Sequence, residues 1–343
     1  PCWTTTTGRV TNPHSMKRAL LTGASGYLGQ HLISTLVKDC KHLELTCLYG
    51  GSHREFRDAM QRLHPEIQVH ALDLVDDSAV ESFFKNNGSF DVCIHTAALS
   101  SPRVCEVDPS KARAINCPKT FFNSLNDECY IIALSTDQVY DGEQDAPYRD
   151  ADDNDEANSA ARQPKPCNVY GQSKLDLEEF LIRHTQKNSV LLRSSIILGP
   201  KAPICQAHDT FLHFCATREH QPTEFFADQI RSVVSVDDVV TTIKCLAQKH
   251  IEATTAATGV YNMGGPQAVS RVDMAKAVFE HLQLDTTAIV SASFKALQQH
   301  TQGTDLLPTP RNISMDSSRL YALLGRATFA DLDSMVKSTF ATS

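Results

Sequence analysis

Gly23-Ala24-Ser25-Gly26-Tyr27-Leu28-Gly29 is the stretch on which the fold turns. It follows the apolar run Ala19-Leu20-Leu21 and opens a helical pattern over Leu28 to Val37. Between a strand and a helix, glycines at this spacing form a dinucleotide fingerprint. The first permits a tight turn, the second lets backbone approach a pyrophosphate, and the third lets the helix pack closely on the sheet. The N–H groups at the helix start then meet phosphate with a favourable dipole. Outward from this stretch, short apolar runs alternate with helical patterns. Leu43 to Tyr49, Ile67 to Leu72, Asp91 to His95, Tyr130 to Ser135 and Val190 to Arg193 read as successive strands. Strands separated by helices of this length pair in parallel through right-handed crossovers. The spacing therefore predicts an α/β fold, a Rossmann-type doubly wound parallel sheet with a smaller C-terminal α/β substrate-binding region.

The regular pattern breaks between Asp141 and Cys167. Asp145 to Gln163 is polar and acidic, with Asp150, Asp152, Asp153, Asp155 and Glu156, and reads as a solvated loop placed where it could gate a site. After Gly199-Pro200 the pattern becomes less regular. Val236 to Gln248 and Gly259 to Met263 read as a helix and a strand returning to the sheet, and Ser270 to Leu282, Ser317 to Leu324 and Phe329 to Thr339 as further helices. The expected division is a dinucleotide-binding domain over 16–198, joined by 236–262, and a substrate-binding region over 199–235 and 263–343. Residues 1–15 are expected to be a disordered or processed segment.

Bulk composition narrows the class. The 343 residues are 41% hydrophobic and 21% charged, ordinary for a soluble globular protein and long enough for a full core. A net charge of -8 with no basic stripe gives no footprint for nucleic acid. No apolar run approaches a membrane span. The eleven cysteines are scattered, without CxxC pairs or metal spacing, and read as reduced thiols; no metal site is expected. A cytoplasmic protein is expected, or an organellar one if the Ser/Thr-rich, acid-poor residues 1–15 are the remains of a transit peptide.

The chemistry is carried by a second motif, Tyr170-Gly171-Gln172-Ser173-Lys174. On a helix Tyr170 and Lys174 share one face. A nearby ammonium favours tyrosinate and brings the phenol towards the range for proton transfer. With a nicotinamide beside it, such a tyrosine protonates a carbonyl oxygen as hydride reaches the carbon. Thr136, just past the fifth strand, is the candidate second hydroxyl, ahead of Ser135. Gly23, Ser25, Gly26, Tyr27, Leu28 and Gly29 would line the cofactor. So would Asp73 and Leu74 after the third strand, Thr96, Ala97 and Ala98 after the fourth, Asn116, Tyr170, Lys174 and Arg193. A nicotinamide site specific for the 2'-hydroxyl usually has an acid after the second strand. Here Gly50-Gly51-Ser52-His53-Arg54 holds none before Glu55, and Ser52, His53 and Arg54 suit a 2'-phosphate. NADP(H) is favoured, with NAD(H) the alternative.

These residues carry a resemblance. Thr22 to Gly29, Leu134 to Gly142, Tyr170 to Lys174, Arg193 to Pro200 and Val236-Asp237-Asp238-Val239 resemble the extended short-chain dehydrogenase/reductase superfamily. Ser135-Thr136-Asp137-Gln138-Val139-Tyr140-Asp141-Gly142 and Pro310-Arg311-Asn312-Ile313-Ser314-Met315-Asp316 look most like the dTDP-4-dehydrorhamnose reductase family, which includes the regulatory β subunit of methionine adenosyltransferase. The resemblance implies Thr136, Tyr170 and Lys174 as a catalytic trio. It implies Asn116 as a helix asparagine steadying the site, with a purely structural hydrogen bonder as the alternative. It places Arg231 against a substrate phosphate, with a surface ion pair as the alternative. Ser100, Asp137 and Gln138 complete the substrate side.

Related 4,6-dehydratases carry Thr-Asp-Glu where this chain has Thr136-Asp137-Gln138, so the second acid for eliminating water is missing and simple reduction remains. The expected function is NADPH-dependent reduction of a keto group on a small molecule, with a nucleotide-linked 4-keto-6-deoxy sugar as the implied class. The alternative is a non-catalytic NADP-binding regulatory subunit. A homodimer or a methionine adenosyltransferase partner is compatible with these motifs.

Overall fold

The computed structural model describes residues 16–51, 53–143, 146–150, 163–183, 187–252, 257–300 and 306–341. The expectations for residues 1–15, for Ser52 and for most of the acidic stretch, including Asp145, Asp152, Asp153, Asp155 and Glu156, lie outside the described residues.

Seven strands form the central sheet: β1 (Lys17–Thr22), β2 (Leu43–Tyr49), β3 (Gln68–Ala71), β4 (Val92–His95), β5 (Tyr130–Thr136), β6 (Ser189–Ser194) and β7 (Gly259–Met263). Their order is β7-β6-β5-β4-β1-β2-β3, and every pairing is parallel. This is the doubly wound sheet expected from the sequence. Strands covered on both faces must be apolar throughout rather than alternating, and β4 and β6 are buried at every position.

Helices α1 (Tyr27–Asp39), α2 (Arg54–Leu63) and α3 (Asp77–Asn87) make the first crossovers. Three short helices, α4 (Pro102–Val107), α5 (Pro109–Asn116) and α6 (Lys119–Ser124), join β4 to β5, and α7 (Val169–Arg183) precedes β6. The short helices had no strong periodicity to announce them, but their caps are local. The Ser101 hydroxyl accepts Val104 N–H, Asp108 accepts Lys111 N–H, and each is followed by a proline at the first helical position. Later helices are α8 (Phe211–Ala216), α9 (Val236–Ile251) and α10 (Arg271–Leu282). One sheet face packs Leu32 and Leu36 of α1 together with Ile243 and Leu246 of α9. The other packs Phe83, Phe121, Phe122, Leu177 and Leu181. A separate core joins Leu212 of α8, Phe225, Phe279 of α10 and Met335. Among the described residues no helix is long and apolar enough to cross a membrane, and the cysteines are free thiols.

Strand order reverses between β1 and β4, so a crevice opens at the carboxyl ends of these two strands. Two glycines make the crossing there possible. A Cβ on Gly23 (φ +72°) would lie 2.7 Å from Ala97 N, and one on Gly29 would lie 2.2 Å from the Gly23 carbonyl. Nothing approaches within 4 Å of the same position on Gly50. Gly29→Ala is therefore expected to lower stability by about 3 kcal/mol in urea denaturation, and Gly50→Ala to change it by no more than ~0.5 kcal/mol. Equal effects would contradict the packing described.

Candidate functional site

The site is assembled by the way α7 begins. Asn168 caps the helix: its side-chain oxygen accepts Gly171 N–H at 2.8 Å, and its amide donates to Gln138 Oε1 at 2.9 Å and to the Pro308 carbonyl at 3.1 Å. Gly171 lets the first turn press against the loop after β5, where a Cβ would lie 2.1 Å from the Gln138 carbonyl. That approach brings the Tyr170 phenol beside the Thr136 side chain. Thr136 also accepts Gln138 N–H at 3.2 Å and donates to Asp137 Oδ1 at 3.3 Å. Ser135 turns the other way and donates to Glu178. Of the two candidate hydroxyls, Thr136 is the one that meets Tyr170. Asn168 and Gly171 were not among the expected site residues, although an asparagine three before a glycine at a helix start is a capping signal.

Burial pushes the Tyr170 phenol up, Thr136 beside it opposes this, and the Asp137 charge pushes it further up. Lys174 is buried, and burial lowers it to about 8 against the pull of Glu178, one turn further along α7. His95, at the end of β4, bonds Thr22 Oγ1 at 2.9 Å through Nδ1. Burial and the Lys174 charge hold it near 3, so the imidazole is neutral.

Beneath Tyr170 and Lys174 lies a buried polar network. Arg193 donates to Glu178 at 2.6, 3.0 and 3.2 Å and to the Tyr140 hydroxyl at 2.9 Å. The Tyr140 hydroxyl donates to Asn262 Oδ1 at 2.8 Å. Arg193 is thus corrected from a cofactor contact to a structural one, because its guanidinium is committed to β5-side and α7 partners. Asp150, expected in a solvated loop, instead accepts Asn262 N–H at 3.1 Å and pairs with Arg319 at 3.4 Å, its side chain buried.

At the glycine turn, α1 begins at Gly26 with no side-chain cap and no acid in its first turn. Its leading N–H groups are therefore open to an anion. Ser25 and Gly26 lie at this turn, but the side chains of Tyr27 and Leu28 do not face it. Leu28 belongs to the core, and the Tyr27 hydroxyl is buried without a protein hydrogen bond near Gly199, its ring 4.9 Å from His31. These two residues can offer only backbone. Thr96 donates to the Thr22 carbonyl at 2.7 Å and Ala97 N–H to Thr22 Oγ1 at 3.3 Å, which fixes the Thr96-Ala97-Ala98 passage beside Gly23. Asp73 is exposed past β3, its carboxylate accepting Val75 N–H, with Leu74 half-buried behind it. His53 and Arg54 are exposed at the start of α2, on the same rim. Asn116 is fully buried; it accepts Leu99 N–H at 2.7 Å and donates to the Leu99 carbonyl at 3.2 Å and Ser173 Oγ at 2.8 Å. It therefore steadies the loop after β4 against α7, and both its amide hydrogens are committed to protein. The open α1 terminus, the glycine passage and the basic pair His53 and Arg54 fit a dinucleotide carrying a 2'-phosphate.

On the substrate side, Ser100 is exposed ahead of α4. Asp137 is buried, accepting Ser195 Oγ at 2.8 Å, and Gln138 is held by Asn168. Arg231 is buried rather than on the surface. It donates to the carbonyls of Ile230, Arg311 and Pro310 at 2.8, 2.6 and 2.8 Å, with Nε 4.0 Å from Asp137.

With this arrangement in view, comparison with known proteins is informative. The RmlD substrate binding domain family matches residues 16–337. The chain belongs to that family. It is similar to methionine adenosyltransferase 2 subunit beta of Xenopus laevis, 24% identical over 307 residues, covering 89% of this chain and 81% of that protein. It is also similar to dTDP-4-dehydrorhamnose reductase of Aggregatibacter actinomycetemcomitans, 27% identical over 268 residues, 77% of this chain and 79% of that one. Among solved structures, dTDP-4-dehydrorhamnose reductase from Bacillus anthracis in complex with NADP matches with a TM-score of 0.67 and 18% identity, covering 94% of this chain and 98% of that one. UDP-glucuronic acid 4-epimerase from Bacillus cereus, in complex with UDP-glucuronic acid and NAD, matches with a TM-score of 0.71, 20% identity and coverage of 94% and 97%. At such identities these structures share the fold.

Removing one member of the buried pair strands the other. Arg193→Met is expected to cost about 3–5 kcal/mol in denaturant titration, and Glu178→Met with Arg193→Met together to recover most of that loss. A single substitution within ~1 kcal/mol of wild type would show that the pair is not the brace described here.

Proposed function

We propose that this chain is an NADPH-dependent reductase of a keto group, with Tyr170 as proton donor, Thr136 as the second hydroxyl and Lys174 as the ammonium that orients the site. The observation that carries the proposal is the close seating of the first turn of α7 on the loop after β5, which sets Tyr170 beside Thr136 at the carboxyl end of the parallel sheet, with Lys174 one turn along the same helix. Membership of the RmlD substrate binding domain family and the similarity to a dTDP-4-dehydrorhamnose reductase support a nucleotide-linked 4-keto-6-deoxy sugar as the substrate class.

In this proposal backbone N–H groups from Gly23 to Gly29 hold the pyrophosphate, and His53 and Arg54 hold the 2'-phosphate; NAD(H) is the weaker alternative. When bound, the reduced nicotinamide supplies hydride to a carbonyl carbon. Tyr170, kept protonated by burial and by Asp137, gives its proton to the carbonyl oxygen, and Thr136 donates to the same oxygen. Gln138, in place of a second acid and bonded to Asn168, offers no group to remove water. The pocket for the rest of the substrate is assigned to 199–235 and 263–343.

Tyr170→Phe is expected to lower turnover of a keto substrate at least ~100-fold, the size of a lost general acid, while NADPH titration stays as in wild type. Unchanged turnover would remove Tyr170 from the role. The pH dependence follows from Lys174. Burial lowers its pKa to about 8, so the ammonium is present below that pH and lost above it. The phenol is raised and stays protonated across the same range. Reduction rate is therefore expected to be level below about pH 8 and to fall above it; a profile falling on the acid side would contradict the assignment.

A second reading has its own support in the similarity to methionine adenosyltransferase 2 subunit beta over most of the chain. On that reading the protein is an NADP-binding regulatory subunit. Tight NADPH binding without turnover on any carbonyl compound, together with comigration with a methionine adenosyltransferase, would favour it over the reductase.

A further inference from the structure

Arg271 is the first residue of α10, and its position is unfavourable on three counts. A cation at a helix N-terminus opposes the helix dipole. Its neighbours include a second guanidinium, that of Arg231, and burial together with that charge pulls it down to about 10. It has, among the described residues, no hydrogen bond or ion pair to relieve either. The carboxylate nearest in sequence, Asp273, is committed to the helix cap, where Oδ2 accepts Ser270 N–H at 2.8 Å and Ser270 Oγ at 2.7 Å.

The surroundings place this cation beside Arg231. Ile230–Arg231 pairs antiparallel with Val269–Ser270, with Ile230 opposite Ser270 and Arg231 opposite Val269, so Arg271 follows directly on the strand beside Arg231. Its guanidinium lies over the Phe211 ring, 4.5 Å from the centroid, which restrains the side chain. The Asp137 carboxylate acts on Arg271 and on Arg231 alike. It already accepts Ser195 and Thr136. Arg231 in turn is committed to three carbonyls. Of the two guanidiniums, Arg231 has its donors committed and lies against Asp137, and Arg271 is the one with donors to offer.

We propose that Arg271 is the specificity residue of the substrate pocket and receives an anionic oxygen group of the substrate, a phosphate or a carboxylate. A planar guanidinium restrained over a ring binds either group through paired N–H donors. The word substrate rests on the reductase reading, whereas the anion site itself does not.

The test uses the full chain saturated with NADPH, as wild type, Arg271→Gln and Arg271→Lys. Inorganic pyrophosphate and malonate are titrated separately by calorimetry, and circular dichroism checks that each variant is folded. One of the two anions is expected to bind wild type, to weaken roughly 10–100-fold in Arg271→Gln, and to recover in part in Arg271→Lys. The anion that binds identifies phosphate or carboxylate. Equal binding to wild type and Arg271→Gln, or no binding of either anion to wild type, overturns the proposal. Turnover is read in parallel as the ratio of kcat/KM for an anionic over a neutral carbonyl compound, which is expected to fall by the same factor in Arg271→Gln. Arg271-dependent anion binding in a protein that turns over no carbonyl would keep the site and discard the reductase.

Discussion

Glu178 and Arg193 meet in the interior through three contacts of 2.6–3.2 Å, and the candidate site is built on that pair. Tyr170, Lys174 and Glu178 are spaced four apart on α7, so they lie along one face of the helix. Fixing Glu178 against β6 fixes the rotation of that face, and with it the direction of the two residues above. Ser135 on β5 and Tyr140 beyond it join the same network, so α7, β5 and β6 are locked at one point. A buried ion pair gains little net stability over an apolar contact of the same shape. Its value here lies in geometry: few other interactions could hold a helix face to a strand with directional bonds on both sides.

The ionisable groups above this brace are separated by environment rather than by type. Burial lowers Lys174, and the Glu178 charge works against that. Tyr170 is driven towards its protonated form by burial and by Asp137. Asp137 is itself pushed up by burial and drawn back by Arg231 and by hydrogen bonds from Ser195 and Thr136. The result is a protonated phenol, a lysine close to its titration point and a neutral His95 within one small volume. Pairs of groups whose pKa values are pushed apart are the usual form of an acid–base site.

Arg231 and Arg271 show how position changes the meaning of a residue. Arg231 carries the expected motif yet its donors are held by backbone carbonyls, of which that of Arg311 lies 80 positions away in sequence. Arg271 carries no motif, and the role proposed for it follows from lying over Phe211 with, among the described residues, no ion pair of its own. A functional site is where a chain tolerates a local violation of the usual rules, and a cation at a helix start beside another cation is such a violation.

The sequence by itself determined the parallel sheet, its glycine turn and the placing of Tyr170 and Lys174 one turn apart on a single helix. These depend on signals between near neighbours: apolar runs between helices, glycines at fixed spacing, and two side chains one turn apart. Thr136 and Ser135 were adjacent candidates, and only the face that α7 presses upon β5 separated them. Arg193, Asp150 and Asn116 were misplaced or left open for a similar reason. Arg193 finds Glu178 at a separation of 15 residues and Tyr140 at 53, and Asp150 finds Asn262 at 112. Which donor meets which acceptor over such intervals is set when the layers close, because a buried polar group must find a partner wherever packing leaves one. No local pattern encodes that choice, so the tertiary structure alone decided which polar residues hold the site together and which remain to act.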